Sequence, residues 1–380
     1  MPSDTPTDQD SPVAGPSMWR EMHEQPQAIA ATLALYVDGA RLKPAFVDAV
    51  ARWLGAGREV VIAASGSSRH AALHGKAMIE AFAGLPTSVC YASEYGLSDV
   101  EAADDPAVMV ISQSGETADT LAALRRANGL GRRTLAVTNA AGSTMATQAL
   151  IHLPTAAGRE LAIPATKSFT TQLVVMHLVA LAAAALRRTM PQAEIGPALA
   201  ALGRIPGLIA AQLSQDWSVA EASAARISRA SPVVYLGRDL LYGLACEGAL
   251  KLKETAYVPA EAMPTGELKH GPIAMLGDSA SLVVLAACDP LDPGSVHRRD
   301  KTTQLLQELA LQGRDVLTIA TQGDKRAPAL SSRCVPTPSV DEALTPFVCI
   351  VPLQMLAFFC ARDRGVDIDR PRGLTKFVAV

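Results

Sequence analysis

Val108-Met109-Val110-Ile111-Ser112-Gln113-Ser114-Gly115-Glu116-Thr117 decides the fold class. An unbroken apolar run leads into hydroxyls grouped around one glycine, and a helix-forming stretch over Thr117–Ala127 follows. Apolarity without alternation marks a strand covered on both faces, as in the parallel sheets of α/β proteins. Working outward, Val60–Ala64 (VVIAA) precedes Ser65-Gly66-Ser67-Ser68 and a helical stretch through Ala71–Ala81. Thr134–Thr138 (TLAVT) precedes Asn139, and Ile151–Pro154 is a fourth, weaker run. Strands alternating with helices predict a doubly wound parallel sheet.

The series then recurs. Val233–Leu236 precedes Gly237-Arg238-Asp239, Leu282–Ala286 precedes Cys288-Asp289, Val316–Ala320 precedes Thr321-Gln322-Gly323, and Val335 lies in a fourth run. Val60 to Val233, Val108 to Leu282, Thr134 to Val316 and Ile151 to Val335 are separated by 173, 174, 182 and 184 residues. Four elements at a nearly constant offset indicate two copies of one α/β unit, joined by helices across Leu173–Ala230. The expected organisation is a disordered tail over 1–17, a first unit with N-terminal helices over 18–190, a helical linker over 191–230, a second unit over 231–365 and a tail over 366–380. In such sheets ligands bind beyond the carboxyl ends of the strands, so the turns after each strand are where chemistry is expected.

Composition narrows the function. A chain of 380 residues is long enough for about two or three domains. A net charge of -3 argues against a nucleic-acid partner, which calls for a basic face. Six cysteines without a CxxC pair, and no histidine cluster near them, point to free thiols in a reducing, cytoplasmic setting rather than a metal site. The apolar runs Leu173–Leu186 and Phe347–Ala361 fall short of a bilayer span and are read as core helices. No membrane partner follows.

Ser112, Ser114 and Thr117 crowd hydroxyls onto one strand-to-helix turn, with Gly115 permitting close approach. Free N–H groups and the helix dipole make this a phosphate cradle needing no lysine or arginine. An ordinary serine-rich N-cap is the competing reading. Ser65–Ser68 repeats the logic one strand earlier. In the second unit Glu247, Lys251 and Glu254 are spaced to share one face of a helix over Ala245–Ala256. Spacing alone favours a solvated face. The Gly-, Pro- and His-containing stretch Glu261–Pro272 behind it has the character of a functional loop.

These motifs together resemble a known family. Gly115-Glu116-Thr117-Ala118-Asp119-Thr120, Ala165–Gln172, Glu247–Glu254, Gly266-Glu267-Leu268-Lys269-His270-Gly271-Pro272 and the tail Asp369–Lys376 are similar to the isomerase half of glutamine–fructose-6-phosphate aminotransferase. Met22–Pro26 resembles the opening of that half, so the likeness covers about residues 18–380. It implies two tandem sugar-isomerase (SIS) domains. It also implies a phosphate site at Ser68, Ser112, Gln113, Ser114 and Thr117, with Ser67 and Lys251 binding the sugar. Glu254 is the implied proton carrier between the first two sugar carbons, and His270, supplied across a homodimer boundary, the ring-opening group. Glu247 shapes the sugar site. Lys376, on the tail that closes the active site, forms an imine or holds an oxygen. No metal or organic cofactor is implied.

The chain departs from the family where the glutaminase nucleophile would stand: position 2 is Pro, and glutamine hydrolysis is not expected. The family's cysteine in the first turn is Ser65 here, and Phe377 and Val380 alter the tail. The implied reaction is deamination of glucosamine 6-phosphate to fructose 6-phosphate and ammonia. Ammonia- or partner-dependent synthesis, action on a related phosphosugar as deaminase or deglycase, and a non-catalytic sugar-phosphate sensor remain as alternatives.

Overall fold

The computed structural model describes residues 16–97 and 105–376. The tail expected to be disordered over 1–17 lies mostly outside these residues, but Ser17 is already helical. Ser17 opens α1 (Ser17–His23), and the Ser17 and Met18 N–H groups donate to the Asp369 carboxylate at 2.6 and 2.9 Å. The chain continues through α2 (Gln25–Tyr36), a small hairpin of β1 (Val37–Asp38) and β2 (Arg41–Leu42), and α3 (Pro44–Leu54).

The first sheet comprises β3 (Val60–Ala64), β4 (Thr87–Tyr91), β5 (Ala107–Ile111), β6 (Thr134–Thr138) and β7 (Ile151–Pro154). Between them run α4 (Gly66–Ala83), α5 (Ala118–Gly129) and α6 (Thr144–Gln148). The strand order is β4-β3-β5-β6-β7, every pair parallel. Three helices follow: α7 (Lys167–Arg187), α8 (Gln192–Leu213) and α9 (Ser218–Ile227). The second sheet comprises β8 (Val233–Gly237), β9 (Ala260–Pro264), β10 (Ser281–Leu285), β11 (Val316–Thr321) and β12 (Arg333–Thr337). With it come α10 (Leu240–Ala256), α11 (Pro293–Leu311), the short α12 (Arg326–Ala329) and α13 (Thr345–Asp363). Its order, β9-β8-β10-β11-β12, repeats the first, again all parallel. Val60 faces Thr87 in one sheet as Val233 faces Ala260 in the other. The two units are copies in register as well as in order.

Edge strands β4 and β9 are what the sequence reading missed. Each has partly exposed positions, so the continuous apolar signature of a central parallel strand is lost. The stretch Ala256–Met263 closes α10 and enters β9, which pairs with β8.

The helices α7 and α13 exceed their apolar runs. At 21 and 19 residues they are long and apolar enough to span a bilayer, contrary to the reading from the runs alone. Their apolar windows are 89% and 94% buried inside the protein, which is the environment of core helices. Each lies along the first helix of its own unit, α7 against α4 and α13 against α10. A Cβ at Gly75 would press on Met176 of α7, and one at Gly248 on Leu353 of α13 as well as on Tyr235 of β8, so glycine sets the closeness of both helix pairs. His74 and His177 stack at 5.8 Å in this core, beside Phe347. Burial lowers them to about 3 and about 4, so both stay neutral. Of the six cysteines, all free, Cys288, Cys349 and Cys360 are buried and Cys90, Cys246 and Cys334 half-buried.

Candidate active site at the switch point of the first sheet

In the first sheet the chain leaves β3 and β5 toward opposite edges, and the crevice between their carboxyl ends is the expected ligand position. A cavity of about 160 Å³ sits there. Ser65, Ser67 and Ser68 line it from the turn after β3, and Ser112, Gln113, Ser114 and Thr117 from the turn after β5. The Ser112 hydroxyl lies 2.8 Å from that of Thr117 and 3.4 Å from that of Ser114. The N–H groups of Gly115 and Glu116 donate to Ser112 Oγ and Ser114 Oγ at 3.2 and 3.1 Å. Gly115 has φ +69, and a Cβ there would collide with the Ser143 hydroxyl, so only glycine makes this turn. Neither α4 nor α5 has a side-chain cap at its N-terminus. Two helix dipoles, with clustered hydroxyls, thus point at one cavity, an arrangement suited to a dianionic group.

The opposite wall belongs to the second unit. Glu247, Lys251 and Glu254 do share one face of α10, but it is not the solvated face that spacing favoured. Glu247 and Lys251 are fully buried. Lys251 Nζ lies 2.5 Å from Glu254 Oε2 and 3.4 Å from Glu247 Oε1. Ser67 Oγ donates to Glu247 Oε1 at 2.8 Å, and His70 Nδ1 lies 2.7 Å from Glu247 Oε2. Burial pushes the Glu247 carboxyl up, but Lys251 and the His70 and Ser67 hydrogen bonds together hold it below the usual carboxylate range. Burial would likewise lower Lys251, and its two carboxylate neighbours overcome this to keep it a firm cation. Lys251 and Glu254 line the cavity, while Glu247 stands behind Lys251 as its buried counter-charge.

Residues 56–182 and 226–360 each match the SIS domain. The chain belongs to the SIS family. It is 38% identical over 365 residues to the glutamine–fructose-6-phosphate aminotransferase [isomerizing] of Symbiobacterium thermophilum, a match covering 96% of this chain and 59% of that relative. The counterpart in Aquifex aeolicus is also 38% identical, over 96% of this chain and 57% of its own length. This SIS chain thus spans less than two thirds of the curated relatives it matches. In structure it is similar to the C-terminal domain of glucosamine-fructose-6-phosphate aminotransferase from Francisella tularensis. There the TM-score is 0.85 at 30% identity, covering 94% of this chain and 99% of that one. A glucosamine-6-phosphate deaminase from Thermotoga maritima shares the fold, with a TM-score of 0.70 at 20% identity over 96% and 100% of the two chains.

The SIS scaffold brings most of the sequence-predicted residues together: Ser67, Ser68, Ser112, Gln113, Ser114, Thr117, Lys251, Glu254 and Lys376 all line the cavity. His270 does not. It is exposed, directly after the short turn Glu267–Lys269, and does not line this chain's cavity. Glu160 is the residue that sequence reasoning missed. It is buried in the cavity wall, accepting from the Thr166 and Ser168 N–H groups at 2.9 and 3.1 Å and from Ser168 Oγ at 2.7 Å. Lys376 Nζ reaches its other side at 2.6 Å. Burial would raise Glu160, yet Lys376 and these donors hold it low, as an anion. Its one sequence signal is its place in Gly158-Arg159-Glu160, just beyond a strand that ends at a carboxyl edge. Glu21, raised to about 7 by burial, braces the same loop by accepting from the Leu161 and Ala162 N–H groups. Among the described residues, no group of three or more His, Cys, Asp or Glu side chains could hold a metal ion.

Proposed function

We propose that this SIS chain is an amino-sugar phosphate deaminase, converting glucosamine 6-phosphate and water to fructose 6-phosphate and ammonia. The observation that carries the reading is one cavity faced by an uncapped hydroxyl cradle on one wall and the Lys251–Glu254 pair on the other. The cradle takes the 6-phosphate. Ring opening moves a proton from O1 to O5, with His270 of the partner subunit as the acid–base group. Glu254, a carboxylate beside the Lys251 ammonium, takes the C2 proton and leaves an enolamine. Returning that proton to C1 gives the C2 imine, and water adds there as ammonia leaves. The Lys376 ammonium, steered by Glu160, holds O1, and the tail over 366–380 closes the site. The same reading makes the protein a cytoplasmic homodimer with shared sites, with neither nucleic acid nor membrane as partner.

The reverse direction, synthesis from fructose 6-phosphate and ammonia, uses the same groups and is favoured by the 38% identity to the aminotransferases. Purified protein supplied with glucosamine 6-phosphate decides. Ammonia and fructose 6-phosphate in equal amounts support deamination, whereas isomer or deglycase products without ammonia overturn it. The shared site is tested by co-expressing His270→Ala with Glu254→Gln. Mixed dimers recover one working site if His270 serves its neighbour. Mixed dimers that form and stay inactive rule that out.

A further inference from the structure

The internal repeat generates a second pocket. Just as α10 of the second unit faces the carboxyl end of the first sheet, α4 of the first unit faces the carboxyl end of the second. A cleft of about 950 Å³ lies there. Glu80 on α4 takes the repeat position of Glu254, 174 residues apart, and lines this cleft as Glu254 lines the other. Leu73 and Ala77 stand at the positions of Glu247 and Lys251, and among the described residues no lysine lines this pocket.

Its charge is the reverse of a phosphate site. The turn after β10 carries Asp289 and Asp292, and Asp292 caps α11, accepting from the Gly294 and Ser295 N–H groups at 2.9 and 3.2 Å. The dipole end that would greet an anion is already filled by the chain's own carboxylate. Seven carboxylates and two guanidinium groups line the cleft. One of the latter, Arg298, is taken up by Glu342 at 2.8 Å and by Asp239 and Asp292 at 3.5 and 3.6 Å. Among the described residues, Asp289, Asp341 and Glu194 have no ion-pair partner, and they come from three separate elements.

The floor is apolar, formed by Ala77, Met78, Ala81 and Phe82 of α4 with Pro197 and Ala201 of α8. Set into this wall is His177, 2% exposed, with its Nδ1 buried without a hydrogen-bond partner. Burial keeps its ring neutral, lowered to about 4, so the imidazole adds no positive charge to the pocket wall.

We propose that this cleft is a second binding site, for an alkyl di- or polyamine whose ammonium groups bridge the separated carboxylates of Asp289 and Asp341 while its methylenes lie on α4 and α8. The match is one of kind: carboxylates on distinct elements around an apolar floor suit cations joined by hydrocarbon. The site is independent of the deaminase reading, since it shares no lining residue with the first cavity.

Calorimetric titration of the full-length chain with spermidine tests it, at low and at moderate salt. The expected result is one saturable site per chain, weakened by salt. Asp289→Asn with Asp341→Asn should weaken it by about tenfold or more. Ala81→Trp, which fills the cleft from an exposed position, should abolish it in a chain that still melts cooperatively. Three outcomes overturn the proposal. One is no saturable binding at millimolar spermidine. Another is binding unchanged in both variants, which marks diffuse surface attraction. The third is a changed sedimentation coefficient on either substitution without amine, which marks a second copy of the chain as the occupant.

Discussion

The turn after β5 and the turn after β10 occupy the same place in two copies of one fold, yet they prepare opposite electrostatics. In the first, Thr117 stands at the start of α5 without capping it, and serine hydroxyls and Gly115 surround an open dipole. In the second, Asp292 stands at the start of α11 and closes that dipole with its own carboxylate. One copy leaves its helix N-terminus uncapped, while the other caps it with its own side chain. A duplicated scaffold therefore need not carry a duplicated site, because a single residue at a helix start decides whether the macrodipole is available.

The comparison breaks most visibly at the paired glutamates. Glu254→Gln is expected to abolish C2 hydrogen exchange and to cut turnover by about 10² to 10⁴, the usual share of a positioned acid–base group. Glu80→Gln, at the corresponding position of the other copy, should leave turnover unchanged. Deuterium exchange at C2 in both variants checks this, and equal losses would erase the asymmetry.

A large effect is expected next from Lys251→Met, which has no counterpart in the second cleft. It strands the buried Glu247 carboxylate without its cation, at a cost of about 3–5 kcal/mol. Because Glu247 is held below its unfolded value, its contribution to stability is present at neutral pH and lost as pH falls through the folded value. The gap between wild type and variant in thermal melts should therefore narrow in acid. A gap that widens in acid would mean that Lys251 does not stabilise the Glu247 anion.

The two turns themselves separate more gently. Ser114→Ala or Thr117→Val should raise KM for a phosphorylated substrate, each losing a charge-assisted hydrogen bond worth about 1.5–3 kcal/mol. Steady-state kinetics with unchanged KM in both would move the phosphate elsewhere. Smallest of all, Asp292→Ala should cost about 0.5–2 kcal/mol of stability through the lost cap and leave KM alone. A denaturant titration beside the same kinetics measures both arms.

Much of this was legible because it is local. The central strands β3, β5, β8 and β10 are read from unbroken apolar runs, and β6 and β11 from runs broken only by Thr, since burial on both faces leaves no alternation to confuse them. The turn proposed to hold the phosphate is read from contiguous hydroxyls and Gly115, because one turn contains all its parts. The edge strands β4 and β9 escaped, as half-exposed strands lose that signature. Glu160 escaped because its partners, Ser168 and Lys376, come from a helix start and from the far tail.

The sequence by itself determined the repeat, the α/β class and the hydroxyl-rich turn after β5, all of which depend on residues within a strand and the few that follow it. Only the tertiary structure decided that Glu247 and Lys251 are buried charges rather than a solvated face. The same periodicity serves both, and what separates them is whether another element, here the N-terminal end of α4 in the other unit, covers that face and supplies partners in place of water.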